Sequence, residues 1–130
     1  MKDSPIFELS LRKYEPPTHS LERDLRVFLL SMGLIRPGDA DAPLETIFRA
    51  LLTQKRPISV TELAQMAQIT ESAVRYHLER LKALRLVEGR KEYTLAEGDL
   101  SVAFKVFRRY VLEEILDRID AYVTEISSLV

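Results

Sequence analysis

The stretch from Ile58 to Leu95 constrains the chain most, because two helix starts stand only nine residues apart within it. Thr61 and Thr70 are both residue types whose side-chain oxygen caps a helix N-terminus. Thr61 precedes Glu62-Leu63-Ala64-Gln65-Met66-Ala67, and Thr70 precedes a longer run from Glu71 to Leu84, with only Gln68-Ile69 between them. So short a break leaves room for a sharp turn and nothing else, which forces the two helices to cross in contact. The apolar residues fit such a crossing. Leu63 and Ala64 make an inner face on the first helix, and the small Ala64 lets the second approach closely. Ile69 fills the turn, and Val74, Leu78 and Leu81 follow at helical spacing. This is the helix-turn-helix pattern.

The opposite face of the second helix is polar: Ser72, Arg75, Tyr76, Glu79 and Lys82, with Glu71 at its start. These side chains can hydrogen-bond base edges or phosphates. Directly after it come Arg85-Leu86-Val87-Glu88, a turn expected at Gly89-Arg90, and Lys91-Glu92-Tyr93-Thr94-Leu95. That reads as a short hairpin with a basic tip, over 86–95, within reach of a phosphate backbone. Ile58-Ser59-Val60 is also short and β-prone. From residue 54 to 93 there are eight Lys/Arg against five Asp/Glu, whereas the parts before and after carry net −1 and −3. The middle is therefore the positive part of a chain whose formal net charge is −1.

Upstream, Phe7, Leu9 and Leu11 alternate with polar residues over 6–13, a pattern open to a half-buried strand or an extended arm, stopped by Glu15-Pro16-Pro17. A helix is expected over 20–32, with Ser20 as N-cap, Leu21, Leu25, Phe28, Leu29 and Met32 on one face, and Gly33 as C-terminal cap. Pro37-Gly38-Asp39 closes the next loop, and Asp39 and Asp41 read as turn and cap residues. A second helix opens at Pro43, where a missing N–H costs nothing, and buries Leu44, Ile47, Phe48, Leu51 and Leu52.

The last helix is expected from about Asp99 to Leu129. Leu112, Ile115, Ile119, Tyr122, Ile126 and Leu129 form a heptad seam, widened by Leu116, Val123 and Val130. Ala103, Phe107, Tyr110 and Val111 continue an apolar face in a shifted phase. A helix this long cannot bury that face alone, so it either pairs with a second copy or folds back on the N-terminal helix.

With no cysteine, disulfides, thiolate metal sites and cysteine nucleophiles are excluded. His19 and His77 lie far apart, and no metal, cofactor or enzymatic constellation is read. His77 reads as a half-buried packing or phosphate-contacting residue. The longest apolar run, Val27 to Ile35, is far short of a membrane span, and the first residues hold no export signal, so a cytoplasmic protein is expected.

The strings "LETIFRALL" and "VTELAQMAQITESAVRYHLERLKALRLVE" resemble the winged helix-turn-helix of the MarR, ArsR and TrmB-like regulators. The resemblance implies a mainly α fold with a small β-wing. It would comprise an N-terminal extension over 1–42, a DNA-binding domain over 43–96, and a long C-terminal dimerisation helix over 97–130. It implies double-stranded DNA as the partner of a homodimeric transcription regulator, with helix 71–84 in the major groove and half-sites about one helical turn apart. On matching positions the base-reading face would be Ser72, Arg75 and Tyr76, with Glu71 beside them. Thr70 would cap the helix and touch phosphate, and Arg90 and Lys91 would be the wing's phosphate contacts. Three departures stand out. Gln68 occupies a turn position where glycine is frequent, the wing is short, and the metal ligands of ArsR-type sensors are absent. An effector is left open, and the alternative reading is a winged-helix adaptor that binds protein.

Overall fold

A computed structural model describes residues 3–39 and 42–130 of the chain; Asp41, expected as a turn or cap residue, lies outside them. Helix α1 spans Leu21–Ser31, with the Ser20 side chain accepting the Arg23 N–H. Its end is a Schellman motif: Gly33 takes φ +70°, its N–H reaches the Leu30 carbonyl, and the Leu34 N–H reaches that of Leu29. Within α1, Leu25, Leu29 and Leu30 are buried, whereas Leu21, expected on that face, is exposed. The Asp39 carboxylate accepts the Arg36 N–H at 3.0 Å and closes the following turn. Helix α2, Pro43–Gln54, begins with its proline in the first turn and ends on Lys55 in a left-handed conformation. Arg26 bridges α1 to Glu45 of α2 at 3.1 Å.

Strand β1 is only Ile58–Ser59, and helix α3 follows at once over Val60–Ala67. The cap is Ser59 rather than Thr61, because Ser59 Oγ accepts the Glu62 N–H at 3.1 Å. Gln68 ends α3 at φ +57°, the positive φ that made a glycine expected there. Thr70 caps helix α4, Glu71–Ala83, through the Ala73 N–H.

Strands β2, Val87–Gly89, and β3, Glu92–Leu95, form the hairpin, and the antiparallel sheet has the order β1-β3-β2. Gly89 lies in the strand opposite Tyr93, so the turn falls on Arg90-Lys91 and not on Gly89-Arg90. A 3₁₀ turn over Ala96–Gly98 leads to helix α5, Leu100–Phe107, capped by Asp99. The helix continues through a π-helical segment, Arg108–Leu112, into α6, Glu113–Leu129.

One hydrophobic core joins α1 through the sheet to α5. An aromatic cluster links α1, α2 and α5: Phe28 stacks on Phe48 at 5.9 Å and meets Phe104 edge-on at 6.4 Å, and Phe104 packs on Phe107 at 5.4 Å. Residues 6–13 form no strand. They bend at Ile6 and Phe7 and carry no regular structure after that, with Leu9 half-buried against the core and the Arg12 N–H bound to the Ser31 carbonyl at 2.9 Å. No residue of α6 is buried, so the fold-back onto α1 is not adopted. Among the described residues, no helix is long and apolar enough to cross a membrane.

Candidate nucleic-acid interface

Helix α4 is held from three sides, and its free side is the polar one. Val74, Leu78 and Leu81 are fully buried against the core, which fixes the rotation of the helix. Thr61 Oγ1 donates to Glu71 Oε2 at 3.0 Å, tying α3 to the start of α4. Arg80 Nη2 donates to the Leu34 carbonyl at 2.9 Å, and Lys82 Nζ donates to the Gly89 carbonyl at 2.8 Å. Arg80 and Lys82 therefore serve as braces, one to the loop after α1 and one to the hairpin. The sequence had set Lys82 on the outward face, and neither brace has a sequence signal because each depends on a residue brought close by the fold.

What remains outward is a compact set. Glu71, Ser72, Arg75, Tyr76 and Glu79 are exposed, with Thr70 exposed at the N-terminus. Arg75 lies 4.0 Å from Glu71, one turn back, with both side chains about half exposed. A pair of that kind is worth at most ~1 kcal/mol, so Arg75 swings free of Glu71 at little cost. The Arg80 guanidinium sits 5.6 Å from the centre of the Tyr76 ring, and His77 meets that ring edge-on at 5.5 Å. Tyr76 thus contacts Arg80 and His77 while remaining well exposed. His77 itself is half-buried, and its buried Nδ1 has no hydrogen-bond partner among the described residues. Burial, and secondarily the Arg80 charge, hold its pKa below the ordinary histidine value.

The hairpin sets Arg90 and Lys91 at its tip, both exposed and, among the described residues, in no salt bridge. Arg56, in the same positive segment, is different: it binds Glu62, and that hydrogen bond raises the arginine's pKa and lowers the carboxylate's. With Arg56 paired and Arg80 and Lys82 serving as braces, the exposed cations of this segment are Lys55, Arg75, Arg85, Arg90 and Lys91, of which Arg75 stands on the outward face of α4 and Arg90 and Lys91 at the tip. Among the described residues, no three His, Cys, Asp or Glu side chains group as metal ligands.

Two helices around a short turn, set between strand β1 and a hairpin with a basic tip that completes a three-stranded sheet, give the fold of a winged helix-turn-helix. A family model described as "Helix-turn-helix domain" matches residues 46–90, just over a third of the chain, covering most of α2 through β2. No curated protein and no solved structure matches the chain. A domain of this class points to DNA binding and transcription regulation rather than to catalysis. Its match does not extend to α5 and α6.

Proposed function

We propose that the chain is a cytoplasmic, sequence-specific, double-stranded-DNA-binding transcription regulator that acts as a homodimer. Helix α4 enters the major groove, where Ser72, Arg75 and Tyr76 meet base edges; Thr70 and the Arg90-Lys91 tip meet phosphates. Glu71 contributes by tying the start of the helix to Thr61. The second copy pairs through the α6 seam. The observation that carries this reading is the composition of the outward α4 face. It is polar, and across α2 to β3 Tyr76 is the one large apolar side chain exposed among the described residues. A protein-binding adaptor surface would cluster several aromatic anchors at its centre, whereas α4 offers Tyr76 alone among charged and hydroxyl side chains.

Binding to duplex DNA measured across salt concentrations tests it. The logarithm of affinity falls linearly with the logarithm of salt in the wild type, and Arg90→Ala flattens that slope by about one unit. Arg75→Ala leaves the slope of a base-reading residue largely intact and lowers the preference for the selected site by about 1–3 kcal/mol. If the wild type shows no salt slope at low ionic strength, the DNA reading falls and the adaptor reading replaces it.

A further inference from the structure

Helix α6 presents an apolar stripe to solvent: Ile119, Tyr122, Ile126 and Leu129 are 53%, 65%, 58% and 74% exposed. The two flanks of that stripe differ in chemistry. Leu116 and Val123 line one side, also about half exposed, and Arg118 and Glu125 line the other. A parallel, in-register pair turns one flank of each helix toward the opposite flank of its partner. Arg118 would then face Val123, and Glu125 would face Val130, leaving charges against apolar side chains. Reversing one helix brings like flanks together, because the two-fold axis then crosses the pair at right angles.

Resting on the homodimer reading, we infer that α6 pairs with the α6 of a second copy in the antiparallel direction, about an axis between Asp120 and Ala121. In that register every seam residue finds a mate. Ile115 packs on the partner's Ile126 and Ile119 on the partner's Tyr122, while the partner's Leu129 comes to lie over Leu112, which is half-buried against its own core. On one flank Leu116 meets the partner's Val123. On the other Arg118 meets the partner's Glu125, and the two-fold repeats each contact. The charge pair selects both direction and register, since a slip of one heptad sets Arg118 against its own copy or leaves it without an acid.

A second observation agrees. At the root of α6 lies an open groove of about 460 Å³, walled by Ile115, Arg118 and Ile119 on one side and by Ile6, Phe7 and Arg85 on the others. The antiparallel register carries the partner's Glu125 and Ile126 over this groove, with the acid beside Arg118 and the aliphatic side chain toward Ile115. The same arrangement places the two Val111 positions, the last core residues before the helices leave their domains, about 30 Å apart along the coil. The spacing of the DNA-reading helices is thus set by the length of α6.

The absence of cysteine makes the test direct in the full chain. Leu112→Cys and Leu129→Cys variants are prepared separately, mixed, and treated with a short bismaleimide. Antiparallel pairing gives a cross-linked dimer only in the mixture, because each position lies about 26 Å from its own copy and beside the other. Independently, Arg118→Glu and Glu125→Arg each weaken the dimer about tenfold, and the double exchange restores it to within about threefold. Cross-linking of Leu129→Cys alone, or no recovery in the double exchange, overturns the antiparallel register while the dimer stands. A chain that sediments as a monomer at tens of micromolar removes the homodimer reading and this inference with it.

Discussion

Replacing Gly89 by alanine tests whether the hairpin tip is built around a residue without a side chain. Gly89 sits at φ +138°, a region that residues with a Cβ rarely enter. An added Cβ would lie 2.0 Å from the Glu92 carbonyl oxygen and 2.9 Å from Tyr93 Cα, both backbone atoms that no side-chain rotation can move. Tyr93 cannot retreat either, because it is 3% exposed and also pairs with Ile58 of β1. The hairpin must therefore open at Gly89. Forcing the dihedral costs about 1–3 kcal/mol. Unpairing the tip instead loses a hydrogen bond or two, each worth about 1 kcal/mol net, together with the Lys82 brace on the Gly89 carbonyl.

The smaller of these costs sets the outcome, so Gly89→Ala loses about 2 kcal/mol. For a chain of this length that lowers the melting temperature by roughly 6–10 °C. Calorimetry reads the stability. The salt dependence of DNA binding reads the tip, whose displaced Arg90 and Lys91 flatten the log–log slope by about one to two units. A variant that melts within a degree or two of the wild type with an unchanged slope would refute the steric reasoning, and with it the placement of the turn at Arg90-Lys91.

Two further effects follow from backbone and burial. Gln68→Gly relieves a left-handed residue at the end of α3. The relief of about 1–2 kcal/mol exceeds glycine's added unfolded-state entropy, so the variant gains roughly 0.5–1 kcal/mol in chemical denaturation; a loss would show that the Gln68 side chain contributes to the turn. The His77 pKa is lowered on folding, chiefly by burial, so between the folded value and the unfolded value of about 6.5 the unfolded chain binds more protons. Its stabilisation is complete above about pH 6.5 and is lost as the pH falls below that. The difference in stability between wild type and His77→Gln therefore shrinks from pH 7 to pH 5, and a constant difference would exclude the effect.

Local rules made much of the domain legible. Ser20 and Thr70 cap the helices they precede, the apolar spacing of α2 and α4 matches their buried faces, and Pro43 opens α2. Failures occur where two local solutions are equally good and the fold decides. Ser59 and Thr61 are both N-cap residues; Ser59 caps because β1 ends there, and the Thr61 hydroxyl goes to Glu71. Glycine favours turns, yet Gly89 is needed in the strand, where the backbone of Glu92 comes too close for a side chain. Alternating Phe7, Leu9 and Leu11 suit a strand, but residues 6–13 meet the core at Leu9 and α1 at Arg12 without entering the sheet. In the candidate interface the exposed residues were readable from the helical period. The braces Arg80 and Lys82 were not, since their partners, Leu34 and Gly89, are fixed only by tertiary structure.

The change of phase in the last helix has a physical cause in the π-helical segment. Ala103, Phe107, Val111, Ile115 and Ile119 follow one another at intervals of four. In an ideal α-helix each such step drifts by about 40°, so the stripe would wind well away from the core within four steps. The Glu113 N–H instead bonds the Arg108 carbonyl, five residues back, and this wider turn takes up one extra residue. That correction amounts to about 100° of rotation. Ala103, Phe107 and Val111 can therefore close the domain core, while Ile115 and Ile119, on the same side, line the groove beside Ala83 and Arg85. The π turn lets one continuous helix serve first as the lid of the domain and then as an unpartnered seam. It also fixes the angle at which that seam leaves the domain, and hence how α4 is oriented relative to anything the seam binds.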